Sequence, residues 1–206
     1  MMDDIAFIET TVAKRVFGII DLAREDRQHA VIVGEPGVGK TRALSAYASA
    51  EDSLAVMITI NKENNKHRIL LQEICSALGI GSGGTSYDIT KRIAQQDLSG
   101  YVLLLDEAQG LAPLSVRYLL DMQCPVIFCG NHEVLKNTGT EKGALGQLFD
   151  RMGTFEEINC IPSEDADAIA NSFGVEGMDA YHLARKIGMR FRARALVRVL
   201  KGARKL

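Results

Sequence analysis

No stretch of this 206-residue chain approaches the ~20 consecutive apolar residues that a membrane-spanning helix requires. The opening Met1-Met2-Asp3-Asp4 carries neither the positive segment nor the apolar stretch of a secretory signal, so a cytoplasmic protein without a membrane partner is expected. Cysteine is scarce and shows no pairing pattern. Cys75, Cys124, Cys129 and Cys160 include no Cys-x-x-Cys, and three of them sit in or beside apolar segments that read as core. A disulfide framework and a zinc site are therefore both disfavoured. The four histidines are dispersed and form no ligand pair on a helix face. Internal repeats, low-complexity tracts and any element suited to reading base edges are also lacking.

What is present is an ordinary globular composition, 47% hydrophobic and 24% charged, enough for one main core and a small second unit. The net charge of -2 conceals an asymmetry: residues 185–206 hold nine Lys or Arg and no acid, which leaves about -11 on the rest. Such a basic end fits a polyanionic partner, nucleic acid above all, or simply a solvated helix end.

Periodicity gives the organisation. Ile5, Ile8, Val12, Val16, Ile19 and Leu22 recur at spacings of three and four, which predicts an amphipathic helix within 5–28. Strands are predicted at 30–33, 54–60, 101–105, 125–129 and 155–161, with helices at 42–50, 68–78, 88–96 and 114–122 between them. Gly79 to Gly84 reads as a flexible turn, with Thr85 or Ser86 capping the next helix. Alternating strands and helices imply a parallel sheet covered on both faces. After Pro162 the strand pattern stops. Ser163 is placed to cap an acidic first turn, and helical stretches follow at roughly 163–173, 177–187 and 190–203. The expected division is 1–161 for the α/β domain and 162–206 for a small helical lid.

Between the first strand and its helix lies Gly34-Glu35-Pro36-Gly37-Val38-Gly39-Lys40-Thr41, which satisfies the G-x-x-x-x-G-K-[ST] phosphate loop in the required context, with Arg42 directly after it as a further nucleotide-binding candidate. Its glycines let backbone N–H groups turn onto phosphates at a helix N-terminus. Lys40 is expected to reach the β- and γ-phosphates of ATP, and the Thr41 hydroxyl to ligate Mg. The strand Val102-Leu103-Leu104-Leu105 delivers Asp106 as a second magnesium group, through water, and Glu107 to orient and deprotonate the attacking water. An acid pair directly after the strand marks a hydrolase, because a kinase with this loop need not activate water. Asn131, after the strand Pro125 to Cys129, is placed to contact the γ-phosphate and that water, although Gly-Asn is also ordinary turn chemistry. Arg151 is either an arginine finger or a surface arginine paired with Asp150. Arg194, Arg198 and Lys201 share a helical face suited to phosphate.

Taken in order, Val31 to Thr41, Leu105-Asp106-Glu107-Ala108-Gln109-Gly110-Leu111, Cys129-Gly130-Asn131-His132-Glu133, Leu148-Phe149-Asp150-Arg151 and Arg194-Ala195-Leu196 resemble the transposition-associated AAA+ ATPases of the TnsC, TniB and phage Mu B type. The resemblance covers nearly the whole chain. It implies a P-loop AAA+ core with a parallel five-stranded sheet in the order 5-1-4-3-2, flanked by helices, with a small C-terminal helical lid. It further implies Asn131 as the first sensor, Arg151 as a finger acting in trans, and Arg194 as the second sensor with Arg192 the alternative. Self-association into filaments or rings on duplex DNA follows from it, as do DNA-stimulated ATP hydrolysis, target-DNA selection and activation of a transposase. The DNA path implied is Lys62, Lys66, Arg68 and Thr85. The Mu protein carries a helix-turn-helix domain ahead of its ATPase, and this chain begins almost at the ATPase itself. Two neighbouring readings share the core: a replicative helicase loader of the IstB or DnaC type, and a secretion-type AAA ATPase using nucleotide as a switch.

Overall fold

The computed structural model describes residues 6–51, 53–136 and 152–204. Its elements in chain order are α1 (Thr11–Asp26), β1 (His29–Gly34), α2 (Lys40–Ala48), β2 (Ala55–Thr59), α3 (His67–Ala77), α4 (Ser86–Ala94), β3 (Val102–Asp106), α5 (Pro113–Leu120), β4 (Val126–Gly130), α6 (Glu133–Lys136), β5 (Met152–Ile158), α7 (Ser163–Ser172) and α8 (Met178–Ala203), with a 3-10 turn at Ala108–Gly110. The five strands form one parallel sheet in the order β2-β3-β4-β1-β5, the order expected, read from its other edge.

Side-chain alternation splits the core in two. Val31, Leu103, Leu105, Val126 and Phe128 face α3, α4 and α5. Ala30, Ile32, Val102, Leu104, Ile127 and Cys129 face the opposite layer, where Val12, Val16 and Ile20 of α1, Leu44 of α2, Ile169 of α7 and Leu196 of α8 meet them. Strands buried on both faces read as unbroken apolar runs, which is why β1, β3 and β4 stand out in the sequence. Each fully buried leucine or isoleucine contributes about 1.5–3 kcal/mol. His29 ties the lower end of the sheet together: its Nδ1 accepts the Val126 N–H at 3.1 Å, so Nε2 carries the proton and donates to the Leu120 carbonyl at 3.0 Å.

Several boundaries differ from expectation for local reasons. The first helix starts at Thr11, not near residue 5, because Thr10 stops it as N-cap, its side chain accepting the Ala13 N–H. Arg27 in the left-handed region ends it. The last strand is β5 at Met152–Ile158, shifted towards the N-terminus from the expected 155–161, because pairing with β1 runs from His29 with Met152 to Gly34 with Ile158. Ser163 is the first residue of α7 rather than its cap; Pro162 holds that position. The expected pair of helices at 177–187 and 190–203 is present within α8, but the break between them falls at Arg192 (φ 71°, ψ 175°) instead of before residue 190.

Asp165, read from sequence as part of an acidic first turn, is 2% exposed and accepts the Thr11 and Val12 N–H groups at 2.6 and 3.2 Å. It therefore satisfies the open end of α1 and clamps α7 to it. Among the described residues no helix is long and apolar enough to cross a membrane, and no cluster of three His, Cys, Asp or Glu could hold a metal. Cys75, Cys124 and Cys129 are buried free thiols; Cys160 is exposed.

Candidate nucleotide site

The C-terminal ends of β1, β3 and β4 meet at one edge of the sheet, and the loop leaving β1 crosses it before turning into α2. That edge is where an open parallel sheet places ligands. The glycines of the loop answer to different demands. Gly34 lies against the Ile158 carbonyl of β5, where any Cβ would overlap the oxygen. Gly37 has φ 87° and lies under the Arg194 side chain, whose Cβ would be 3.0 Å from an added Cβ.

Lys40, 8% exposed, folds back so that its ammonium donates to the Gly34 and Glu35 carbonyls at 2.8 and 3.0 Å. Burial lowers its pKa, while Cys129, Asp106, Glu107 and Glu35 act in the opposite direction. Asp106, 3% exposed at the end of β3, has its pKa raised by burial, against the pull of a hydrogen bond from Thr41 and the charge of Lys40. Thr41 itself is exposed. The pair is thus a hydroxyl open to solvent on one side and a buried carboxylate behind it: hard oxygen donors that suit magnesium, with room left for phosphate and water. The Arg42 guanidinium donates to the Ala6 carbonyl at 3.2 Å.

Glu107 follows Asp106 in the left-handed region (φ 56°, ψ 36°). Asn131 follows β4, and its side-chain oxygen accepts the Glu133 N–H at 2.8 Å, capping α6 and leaving its amide NH2 as donor. The break in α8 brings two arginines to the loop in different ways. The Arg194 backbone N–H donates to the Gly37 carbonyl at 3.0 Å, and its side chain covers Gly37. Arg192 pairs with Glu35 at 3.2 Å and donates to the Asn159 carbonyl at 3.3 Å. Arg151 lies outside the described residues.

The expected DNA contacts lie on the segment that leaves the C-terminal end of β2, whose Thr59 pairs with Asp106, and at the starts of α3 and α4. Lys62, Lys66, Arg68 and Thr85 are all exposed. Arg68 donates to the Gly84 carbonyl at 2.9 Å and so brings the start of α3 beside the start of α4. The Thr85 hydroxyl is engaged in a capping box with Asp88.

The sequence assigned no site role to Gln109 or Val12, and named Arg192 only as the alternative second sensor. Gln109 touches both Glu107 and Asn131. Val12 of α1 packs beside Gly39. Arg192 touches Glu35. Gln109 was visible in the Asp-Glu-Ala-Gln string, whereas the contacts of Val12 and Arg192 depend on long-range packing.

A family profile described as "AAA domain" matches residues 23–137, from the end of α1 through α6. The chain belongs to the AAA domain family. Among relatives of this AAA domain, the "ATP-dependent target DNA activator B" of Escherichia phage D108 is 27% identical over 192 residues, covering 89% of this chain and 61% of the relative. The protein of the same name from Escherichia phage Mu matches to the same extent. The "Mu-like prophage FluMu DNA transposition protein B" of Haemophilus influenzae is 25% identical over 83% of this chain and 62% of its own length. The homologues of this AAA domain are thus the transposition B proteins of Mu-like phages, and the chain spans about three fifths of their length. In fold it is similar to the Aeropyrum pernix ORC2 protein (TM-score 0.66, 15% identity, 98% of this chain and 64% of that one). Thermotoga maritima RuvB is similar too (TM-score 0.56, 18% identity, 94% and 61%).

Proposed function

We propose that this AAA domain is a magnesium-dependent ATPase that assembles on duplex DNA and serves transposition as target-DNA selector and transposase activator. The observation that carries the reading is the meeting of Lys40, Thr41, Asp106 and Glu107 at one sheet edge. Homologues named as ATP-dependent target DNA activators support it.

In this reading the loop N–H groups from Gly37 to Thr41 bind the phosphates, and Lys40 exchanges its two loop carbonyls for β- and γ-phosphate oxygens. Thr41 and Asp106 hold magnesium, which supplies charge neutralisation on the phosphates. Glu107 takes a proton from the attacking water, and the Asn131 amide donates to the γ-phosphate and orients that water. Residues 162–206 act as a lid: Arg194 covers the loop and senses the nucleotide, while Arg192 stays on Glu35. Arg151 completes the site of a neighbouring subunit as a finger. Lys62, Lys66 and Arg68 contact DNA phosphates, so binding is nearly independent of sequence and weakens with salt. A chain that acts in this way has no need to leave the cytoplasm.

The test is the ATPase rate with and without duplex DNA, for the native chain and for Lys40→Ala. The native chain is expected to be stimulated by DNA, and Lys40→Ala to lose nucleotide binding. A native rate indifferent to DNA sinks the proposal.

A further inference from the structure

Glu107 does not stand alone at the end of β3. Its left-handed backbone starts the 3-10 turn Ala108–Gly110, which folds the Gln109 side chain back over the strand ends. The Gln109 Nε2 donates to Glu107 Oε2, and its Oε1 accepts the Asn131 N–H at 3.3 Å. The opposite amide orientation would set oxygen against oxygen at Glu107 and N–H against N–H at Asn131, so both contacts fix it. Gly130 makes room for this bridge. An added Cβ would overlap Gln109 Oε1 and approach Val134 Cγ2 to 2.7 Å. Held in this way, Glu107 faces the loop closely enough for its charge to act on Lys40 and on the buried Cys129 thiol.

We propose that Gln109 is a positioning residue: its carboxamide fixes the Glu107 carboxylate against the phosphate loop and ties it to Asn131, so that the two groups flanking the attacking water keep one geometry. The inference rests on the reading of Glu107 as the water-activating group. Gln109 itself touches no substrate. Its contribution is to orientation, and errors in orientation lower turnover while leaving nucleotide affinity intact.

Gln109→Glu separates this role from a merely structural one. The variant keeps the side-chain length and the oxygen that accepts the Asn131 N–H, but it replaces the donor to Glu107 with a second carboxylate. At saturating ATP and magnesium, kcat is expected to fall about tenfold or more, with KM and the nucleotide dissociation constant within about twofold and Tm unchanged. Gly130→Ala, which displaces the same amide from the other side, is expected to show the same split between kcat and KM. An unchanged kcat in Gln109→Glu, or a loss shared equally with affinity or Tm, overturns the proposal. Glu107→Gln, measured alongside, assigns a failure. If it turns over normally, the reading of Glu107 is wrong and the inference goes with it; if it is inactive while Gln109→Glu behaves as the native chain, only the role of Gln109 is wrong.

Discussion

Asp106 must be ionised to hold magnesium, in a place that disfavours ionisation. Burial raises its pKa more than the Thr41 hydrogen bond and Lys40 lower it. A carboxyl whose folded pKa exceeds its unfolded value favours folding in acid. That advantage fades as pH rises from the ordinary carboxylate range, about 3.9, through the raised folded value. At neutral pH the ligand-free protein therefore carries the penalty. Asp106→Asn is expected to raise Tm by a few degrees at neutral pH, on the order of 2–4 °C, with magnesium-dependent turnover lost. The difference should close as pH falls through the carboxylate range, which a series of thermal melts checks directly. A second prediction concerns Glu107: the Glu107→Gln variant should bind ATP with near-native affinity, fail to hydrolyse it and remain on DNA, as read by nucleotide binding and DNA retention. The placement of Gly34 to Thr41, Asp106 and Glu107 at one sheet edge was readable in sequence because each motif is contiguous and sits at a strand end. Gln109 was hidden: its string was visible, but its partner Asn131 lies 22 positions away and is brought to it only by the pairing of β3 with β4.

At the scale of elements, the clamp between α1 and α7 is the clearest case of long-range chemistry disguised as a local signal. An acid in a first helical turn is ordinarily helix-dipole chemistry, and Asp165 fits that pattern. Its carboxylate instead satisfies the N–H groups of Thr11 and Val12, more than 150 residues earlier. Asp165→Ala leaves the buried Val12 N–H without its partner and the more accessible Thr11 N–H to water, and should destabilise the protein by about 1–3 kcal/mol. Chemical denaturation measures this, and an effect under about 0.5 kcal/mol would indicate that α1 holds its place by apolar packing alone. The break in α8 was equally hard to read. Arg192 has φ 71° without being glycine, a conformation that sequence does not announce. Once the break exists, Arg192 and Arg194 separate onto Glu35 and Gly37 respectively. The sequence choice between them could not be made because it depends on that one residue. The buried strands, by contrast, were legible from their unbroken apolar runs. Only β5 was misplaced by a few residues: it is an edge strand with alternating exposure, so its apolar signal is weak.

For the whole molecule, the proposed function divides the active site between copies of the chain: the phosphate loop, Asp106, Glu107 and Asn131 from one subunit, and Arg151 from the next. A site shared in this way turns over only when assembled, and an arginine finger is worth about 10³–10⁵ in rate. Arg151→Ala should therefore abolish hydrolysis while binding nucleotide nearly as the native chain does, which equilibrium binding and turnover assays separate. Under the proposed function, the basic residues from Lys62 to Arg68, together with the nine cations of residues 185–206, would give DNA a means to gather subunits. The most direct test of this picture is the ATPase rate per subunit across a range of protein concentrations, with and without duplex DNA at constant salt. The specific rate is expected to climb steeply with concentration and to reach its plateau at lower concentration when DNA is present. A specific rate that is flat with concentration and the same with or without DNA would contradict it.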